Sequence, residues 1–281
     1  MIDAKWDRRI CRANELASSY PFSAEGLHYY ARVATFQKEL YAEIQKALSD
    51  SPRIPSDRLL RDELDLFLLL PHFPAFLSLI QRIAPAPLAQ SAASLAQLGP
   101  AGWQQAIEDF WHCDLELAAT VDADVADGRD VTYSDRVLAW IFLQPYAEYL
   151  ADHREIAIAD GTPSTCPLCG GKPAVGVLRA QGDGAQKSLI CALCAHEWVF
   201  RRLYCPACGE EREPQMAFYS APEIAHVRVD VCDSCHTYLK SIDLTKTGLA
   251  IPVVDEIATL PLDLWAREHG YEKLQINLLG T

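Results

Sequence analysis

Apolar residues recur at helical spacing between about residues 24 and 160. One stripe runs from Leu27 to Leu48 and ends where Ser, Asp, Ser and Pro occupy positions 49–52, a combination that stops helices. Further helical stretches are predicted from about Ser56 to Ile83, from Trp103 to about Ala119, and from Ser134 towards Ala159, with interruptions at Pro71, Pro74 and Pro145. The N-terminal half is therefore predicted to be an all-α helical bundle.

The pattern changes at residues 161–164, where Gly, Thr, Pro and Ser follow one another. Beyond them, short runs alternate between apolar and polar residues, which is typical of strands. The predicted strands are Ala174–Leu178, Ser188–Ile190, Met216–Tyr219 and His226–Val231, and a short helix is predicted over 261–268. We therefore expect an α+β fold, with a helical domain over 1–160, two small modules over 161–202 and 203–245, and a C-terminal extension over 246–281.

Four Cys-x-x-Cys pairs lie in this strand-rich region. The first and third read CPLCG and CPACG. Proline fixes φ after the first cysteine, and glycine tolerates a positive φ after the second, so the turn can point backbone N–H groups at the sulfurs. Two such turns supply the four thiolates of a tetrahedral metal site. The chain is therefore predicted to hold two metal ions through Cys166, Cys169, Cys191, Cys194, Cys205, Cys208, Cys232 and Cys235.

The spacing also bears on which pairs share an ion. Gaps of 21, 10 and 23 residues separate the four pairs. Each long gap has room for a hairpin between two turns, whereas the short gap suits a joint between modules. We therefore predict that the first and second pairs hold one ion and that the third and fourth pairs hold the other. A cross-braced arrangement of alternate pairs stays open at this point. So does the metal, since four thiolates accept either iron or zinc.

Cysteines serve other purposes as well. A disulfide framework suits small secreted domains, but no apolar stretch of an export signal follows the first residues. A catalytic dithiol needs one pair beside a βαβ pattern. Cys11 and Cys113 lie outside the pairs and are expected to be buried free thiols. His196, His226 and His236 lie near the pairs, and none is expected to replace a cysteine ligand.

The net charge of −13 lies outside the cysteine region. Between Cys166 and Lys240, eight basic and eight acidic side chains cancel. Nucleic-acid binding requires clustered Lys and Arg, so no nucleic-acid partner is expected. The longest uninterrupted apolar run, 137–143, is too short to span a bilayer. We therefore expect no membrane insertion and a cytoplasmic location.

Three separate segments resemble the FdhE family of formate dehydrogenase accessory proteins. The four cysteine pairs and their neighbours resemble the family pattern in CPLCGGKPAVGVL, LICALCAHEWVFRRLYCPACG and VDVCDSCHTYLKSID. The segment RICRANELASSYPFSAEGLHYYARVATFQKEL is similar to the family's N-terminal helical signature, and DLWAREHGYEKLQINLLG is similar to its C-terminal end. The matching segments therefore cover both ends of the chain and its cysteine region.

The resemblance implies a cytoplasmic assembly factor that is not an enzyme. FdhE-like proteins are needed for active formate dehydrogenase, interact with its catalytic subunit before export, and bind iron through rubredoxin-like sites. All eight cysteines keep the family positions, so the resemblance implies two tandem rubredoxin-like or zinc-ribbon-like modules. It favours iron, with zinc as the alternative, and it indicates neither the client-binding surface nor the oligomeric state.

Two other functions stay open from the residues themselves. A rubredoxin-type electron carrier would use the same four thiolates, although it has no need of a large helical domain. A nucleic-acid-binding zinc ribbon also uses CPxCG pairs, although basic residues are few here. The chain carries no G-x-x-x-x-G-K-[ST], G-x-G-x-x-G or H-E-x-x-H motif. No catalytic residue is therefore predicted.

Overall fold

The computed structural model describes residues 3–51, 60–112, 133–154, 163–182 and 184–280. The chain divides into two units by its internal contacts. Unit 1 contains residues 1–34 and 158–281, and unit 2 contains residues 35–157. Unit 1 therefore includes all four cysteine pairs together with the N-terminal helix. The domain boundaries proposed from the sequence remain a prediction.

The described residues contain eight α-helices. Two long helices come first, separated by a 3-10 turn that begins at Pro21, and two short helices come near the C-terminus. Their bounds are α1 Asp3–Ser19, α2 Ala24–Ala47, α3 Leu66–Leu69, α4 Phe73–Ile83, α5 Ala86–His112, α6 Tyr133–Asp152, α7 Pro252–Ala258 and α8 Leu260–Glu268.

The helices of unit 2 enclose an aromatic core. Phe73 and Phe76 of α4 pack against Phe142 of α6, with ring centroids 4.8 Å and 5.4 Å apart. A 3-10 turn over Leu70–His72 contains Pro71 and separates α3 from α4, in agreement with the predicted interruption. The predicted start of that helical stretch, near Ser56, lies outside the described residues.

Pro145 does not split α6, contrary to the sequence prediction. Proline lacks the N–H that would bond to the carbonyl of Ile141 one turn earlier. The Gln37 side chain replaces that donor, since its Nε2 lies 2.8 Å from the Ile141 oxygen. Gln37 is buried, so the bond is shielded from water. A side chain from a distant part of the sequence thus satisfies the carbonyl that proline leaves without a partner.

Seven strands of the described residues form one mixed sheet in unit 1. The order is β3-β2-β1-β6-β5-β4, with β7 paired to β6. The pairing is antiparallel except for β1 with β6 and β6 with β7. The bounds are β1 Pro173–Gln181, β2 Gly184–Cys191, β3 Glu197–Phe200, β4 Met216–Ser220, β5 Val227–Cys232, β6 Thr237–Asp243 and β7 Glu272–Lys273. All four strands expected from alternation are present, and β3, β6 and β7 are additional.

The sheet is built from two copies of one three-stranded arrangement. β1–β3 form the first copy and β4–β6 the second, and each copy follows one Cys-x-x-Cys pair and contains another. The copies join through β1 and β6, which pair in parallel from Gly176 with Ser241 to Leu178 with Asp243. The two modules expected in tandem therefore share one continuous sheet.

A buried ion pair crosses this joint. Lys187 of β2 lies 2.8 Å from the Asp230 carboxylate of β5, and Ser241 of β6 donates to the same oxygen at 2.7 Å. The lysine passes Gly176, where a Cβ atom would lie 2.2 Å from the Ser241 Oγ. The absence of a side chain at Gly176 therefore leaves room for the contact between the modules.

One face of the sheet packs against α7 and α8. Valines at alternate positions of β5 point to this face, as the period of two in a strand requires. The buried core includes Val175, Val177, Ile190, Val227, Val229, Val231, Tyr238, Ile242, Leu262 and Ala266. Burial of these apolar side chains stabilises the sheet against the two short helices, by roughly 1.5–3 kcal/mol for each large side chain.

A group of four charged side chains lies between β6, α7, α8 and β7, and we call it the ion cluster. It consists of Lys240, Glu256, Asp263 and Lys273, all almost completely buried. Lys240 Nζ lies 2.9 Å from the Glu256 carboxylate and 2.6 Å from that of Asp263. Lys273 contacts both acids as well. Two cations and two anions therefore balance within the interior.

The N-terminal helix belongs to the same unit as the sheet. Arg12 of α1 donates two hydrogen bonds to the Asp255 carboxylate of α7, at 3.0 Å and 2.5 Å. His226 lies 3.1 Å from the same carboxylate. The Ser23 hydroxyl donates to the Ala258 carbonyl at 2.9 Å. These contacts join the N-terminal helix to the C-terminal helices. The helices and the mixed sheet together confirm the predicted α+β fold class.

One described segment, Leu66–Ile83, could span a membrane by length and composition alone. Polar residues and prolines interrupt this segment, so it does not stand out as a continuous apolar run in the sequence. Core helices of globular proteins pass the same test, and Phe73, Phe76 and Leu77 of this segment are buried. The segment is therefore weak support for a membrane span.

Candidate metal centres

The first cluster lies beside the start of β1 and the end of β2. Cys166 and Cys169 form a turn before β1, Cys191 ends β2, and Cys194 lies in the turn towards β3. The amide of Gly170 donates to the Cys166 carbonyl at 2.8 Å, which closes the first turn. Gly170 has a φ of 75°, a value that glycine adopts without strain. The CPxCG sequence therefore forms the expected turn.

The second cluster repeats this construction in the second module. Cys205 and Cys208 form a turn before β4, Cys232 ends β5, and Cys235 lies in the turn towards β6. Gly209 has a φ of 77° and donates to the Cys205 carbonyl at 3.0 Å. Because β1 and β6 run in parallel, both clusters lie towards the same end of the sheet.

Within each cluster the sulfurs are spaced as a tetrahedral site requires. All four ligand atoms of a cluster lie within 4.8 Å of one another. Two sulfur pairs are 3.6 Å and 3.4 Å apart in the first cluster, and two are 3.7 Å apart in the second. A tetrahedron with metal–sulfur bonds of about 2.3 Å has sulfur–sulfur edges of about 3.8 Å. Disulfide sulfurs would be about 2.05 Å apart, so the cysteines are free thiols in metal-site geometry.

Consecutive pairs share a cluster, as the spacing favours. Cys166, Cys169, Cys191 and Cys194 form one group, and Cys205, Cys208, Cys232 and Cys235 form the other. The cross-braced alternative is absent from these described residues. In this part of the chain, both groups consist of cysteine alone, so His196, His226 and His236 contribute to neither.

The two clusters differ in exposure. All four cysteines of the first cluster are buried, whereas Cys208 of the second is exposed and Cys235 is intermediate. Near the first cluster, Trp198 is buried and donates from its indole nitrogen to the Pro163 carbonyl at 2.9 Å. Tyr238 follows the second cluster but donates to Asp263 of the ion cluster, at 2.8 Å. Trp198 thus supports its module beside the metal site, while Tyr238 supports the helix-covered face.

Burial raises the pKa of at least one thiol in each cluster. Desolvation raises the pKa of the Cys191 thiol well above its usual value, because a buried thiolate lacks water around its charge. Desolvation is also the largest cause of the raised pKa of Cys205. A divalent or trivalent cation stabilises thiolates directly. Sulfur spacing, backbone N–H contacts to the sulfurs and burial together fit a thiolate-bound metal ion.

A carboxylate that the sequence analysis did not single out joins the two turns of the second cluster. Glu210 accepts from the Ser234 hydroxyl at 2.6 Å and from the Arg212 guanidinium at 2.6 Å. Glu210 lies two residues after Cys208, and Ser234 lies between Cys232 and Cys235. The hydrogen bonds from Arg212 are the largest cause of the lowered pKa of Glu210. An acidic residue directly after a CPxCG turn is the signal that could have indicated this brace.

Cys11 is exposed, which corrects the expectation of a buried thiol. The buried side of α1 carries Trp6, Ala13 and Leu16. Cys11 falls between those positions at a spacing that places it on the opposite side of the helix. Cys113 lies outside the described residues.

Comparison with known proteins identifies the cysteine region. Residues 165–202 match the central domain of FdhE, and residues 203–279 match the FdhE C-terminal domain. A protein FdhE homolog from Aquifex aeolicus is 34% identical over 141 residues, which is 50% of this chain and 50% of that protein. One from Edwardsiella ictaluri is 31% identical over 167 residues, covering 58% of this chain and 54% of that protein. The chain thus spans about half the length of the curated relatives it matches.

The fold is also that of a solved structure. The crystal structure of the FdhE protein from Pseudomonas aeruginosa aligns with a TM-score of 0.66 and 24% sequence identity. The alignment covers 99% of this chain and 96% of that one. The fold likeness extends beyond the cysteine region, whose two modules match consecutive FdhE domains. From these matches, the cysteine region is similar to the central and C-terminal domains of FdhE, and the fold is that of an FdhE structure.

Proposed function

We propose that this protein is a cytoplasmic accessory factor for formate dehydrogenase, that it is not itself an enzyme, and that it interacts with the catalytic subunit before export. The observation that carries the proposal is the pair of four-cysteine clusters within the two FdhE domains. The similarity to FdhE proteins supports the accessory role, and the clusters support metal binding as a part of it.

In the proposal, Cys166, Cys169, Cys191 and Cys194 hold one metal ion, and Cys205, Cys208, Cys232 and Cys235 hold another. Iron or zinc would cross-link two turns in each module, and iron would also allow one-electron exchange. The chain's own contribution is to place four sulfurs at tetrahedral spacing and to direct backbone N–H groups at them, such as that of Gly171 at Cys169.

The charges on the sheet support a protein partner over a nucleic acid. Lys187 and Arg228, two of the few basic residues in the modules, are both engaged with Asp230. Arg201 lies 3.0 Å from the Glu211 carboxylate. Cations neutralised in this way contribute little to phosphate binding.

Genetic complementation tests the accessory role. A bacterium that lacks its own FdhE protein should recover formate dehydrogenase activity when this chain is expressed. The double variant Cys166→Ser and Cys169→Ser should fail to restore activity, whereas Cys11→Ser should restore it fully, because Cys11 is exposed and outside both clusters. Activity that stays absent with the wild-type chain, or that persists with the double variant, would contradict the proposal.

Two further measurements test its parts. Anaerobic purification with metal analysis should give two metal ions per chain, and a visible ferric-thiolate spectrum would assign iron rather than zinc. Affinity purification of the chain from cells producing formate dehydrogenase should recover the catalytic subunit. Failure to recover that subunit after chemical cross-linking would contradict the proposed interaction with it.

A further inference from the structure

We propose that the second cluster passes its metal ion to, or receives it from, an external molecule that carries a thiolate. The first cluster retains its ion. The proposal rests on the metal binding argued under the proposed function. It goes further because it assigns different tasks to two sites that have the same ligands. The partner it implies is a thiolate-bearing molecule that delivers a metal ion or accepts one.

The two clusters are equivalent in construction, which makes their differences informative. Cys169 and Cys208 occupy the same place, each at the end of a CPxCG turn, yet Cys169 is buried and Cys208 is exposed. Cys194 and Cys235 are likewise equivalent, and the first is buried while the second is intermediate. Both exposure differences favour access to the second cluster.

The residues inside the turns explain the difference. The turns of the first cluster carry Leu168 and Leu193, whose side chains are buried. At the equivalent positions the second cluster carries Ala207 and Ser234, both exposed. Apolar side chains over a site restrict the access of water and ligands. The turns of the first cluster thus carry large, buried apolar side chains where the turns of the second carry small, exposed ones.

Accessible sulfur permits replacement of one ligand at a time. In the exchange, an incoming thiol releases its proton to solvent and forms a sulfur–metal bond, while the Cys208 sulfur–metal bond breaks and Cys208 takes up a proton. The number of thiolates on the metal ion and its oxidation state are unchanged. The brace from Glu210 to Ser234 holds the two turns together, at 2.6 Å, while one ligand is displaced.

Competition with a chelator tests the inference. The full chain is loaded with Zn²⁺, and release is followed with a coloured zinc chelator in excess. We expect two phases of one equivalent each, the fast phase at least about tenfold faster than the slow one because solvent access differs. Addition of a small dithiol should accelerate the fast phase selectively.

Alkylation during release assigns the phases without any variant. Samples taken after the fast phase are treated with a thiol-alkylating reagent, and the modified peptides are identified by mass spectrometry. Cys205, Cys208, Cys232 and Cys235 should be modified while the four cysteines of the first cluster stay protected. The matched variants Cys208→Ser and Cys169→Ser should remove the fast and the slow phase, respectively.

The outcomes separate this inference from the proposed function. Two zinc ions that leave in one phase, or earlier modification of the first cluster, would overturn the exchange proposal while metal binding stands. A chain that binds no metal ion after anaerobic loading would overturn both.

Discussion

Replacement of Lys240 by methionine tests whether the ion cluster holds the sheet to its helices. The change leaves Glu256 and Asp263 buried with one cation, Lys273, in place of two. It also removes the donor to the Glu256 carbonyl, which lies 2.5 Å from Lys240 Nζ. Methionine retains most of the side chain's volume, so the loss is mainly one of charge and hydrogen bonds.

The expected cost follows from the burial of the partners. Lys240 is fully buried, and the side chains of Glu256 and Asp263 are 3% and 1% exposed. Removing one partner of a buried ion pair destabilises by about 3–5 kcal/mol, because the remaining charge has little water around it. The control Arg201→Met removes an ion pair with Glu211 whose side chains are 54% and 60% exposed. Its effect should be much smaller, since exposed pairs contribute little.

Amide hydrogen exchange measured by mass spectrometry is the suitable assay, because it reports opening of the sheet separately from unit 2. Peptides covering β5 and β6 of Lys240→Met should exchange at least about a hundredfold faster, since each 1.4 kcal/mol is tenfold. The double variant Lys240→Met and Asp263→Asn should lose less stability than the sum of the losses in the two single variants. Additive losses, within about 0.5 kcal/mol, would refute the view that the two side chains act as one buried pair.

Three other perturbations should have distinct effects. Gly176→Ala should destabilise the sheet by about 1–3 kcal/mol, since the added carbon would lie 2.2 Å from a buried hydroxyl. In urea unfolding, Gly184→Ala should be close to wild type, because the added carbon would lie at an ordinary contact distance of 3.9 Å from the Gln181 carbonyl oxygen. The pKa of Asp263 is lowered from its ordinary value of 3.8, so its ionised form stabilises the fold at pH values above 3.8. The stability difference between wild type and Asp263→Asn should therefore narrow as the pH falls below 3.8. Chelation should lower the thermal stability of the sheet and its circular dichroism signal, since a structural zinc site can supply ~10 kcal/mol; an unchanged melting curve would contradict this.

The candidate sites could be predicted from sequence because their geometry is local. Each Cys-x-x-Cys pair forms its own turn, and the proline and glycine in CPLCG and CPACG specify that turn without help from distant residues. The sharing of clusters by consecutive pairs also followed from the hairpin-sized gaps. What the spacing could not show was the exposure of Cys208, which depends on the surroundings of each turn.

Features that depend on distant residues were missed. The parallel pairing of β1 with β6 joins segments from different modules, and no local pattern indicates it. Pro145 was expected to kink or split α6, but α6 is one continuous helix and Gln37 of α2 supplies the missing donor. Lys240 interrupts an apolar strand pattern and gives no sign that two acids from α7 and α8 surround it. In each case, the feature depends on tertiary contacts that no local sequence pattern specifies.

The head-to-tail joining of the two modules has a consequence for self-association. The first strand of one module pairs with the last strand of the other, so the described sheet ends with a last strand, β3, at one edge and a first strand, β4, at the other. These edges are complementary, and the same pairing between molecules would generate an open-ended filament. Both outer strands are short, with four and five residues, and short edges offer little template for addition. The shortness of the two outer strands thus disfavours pairing of one molecule's sheet with the next. Lengthening both strands should promote end-to-end assembly.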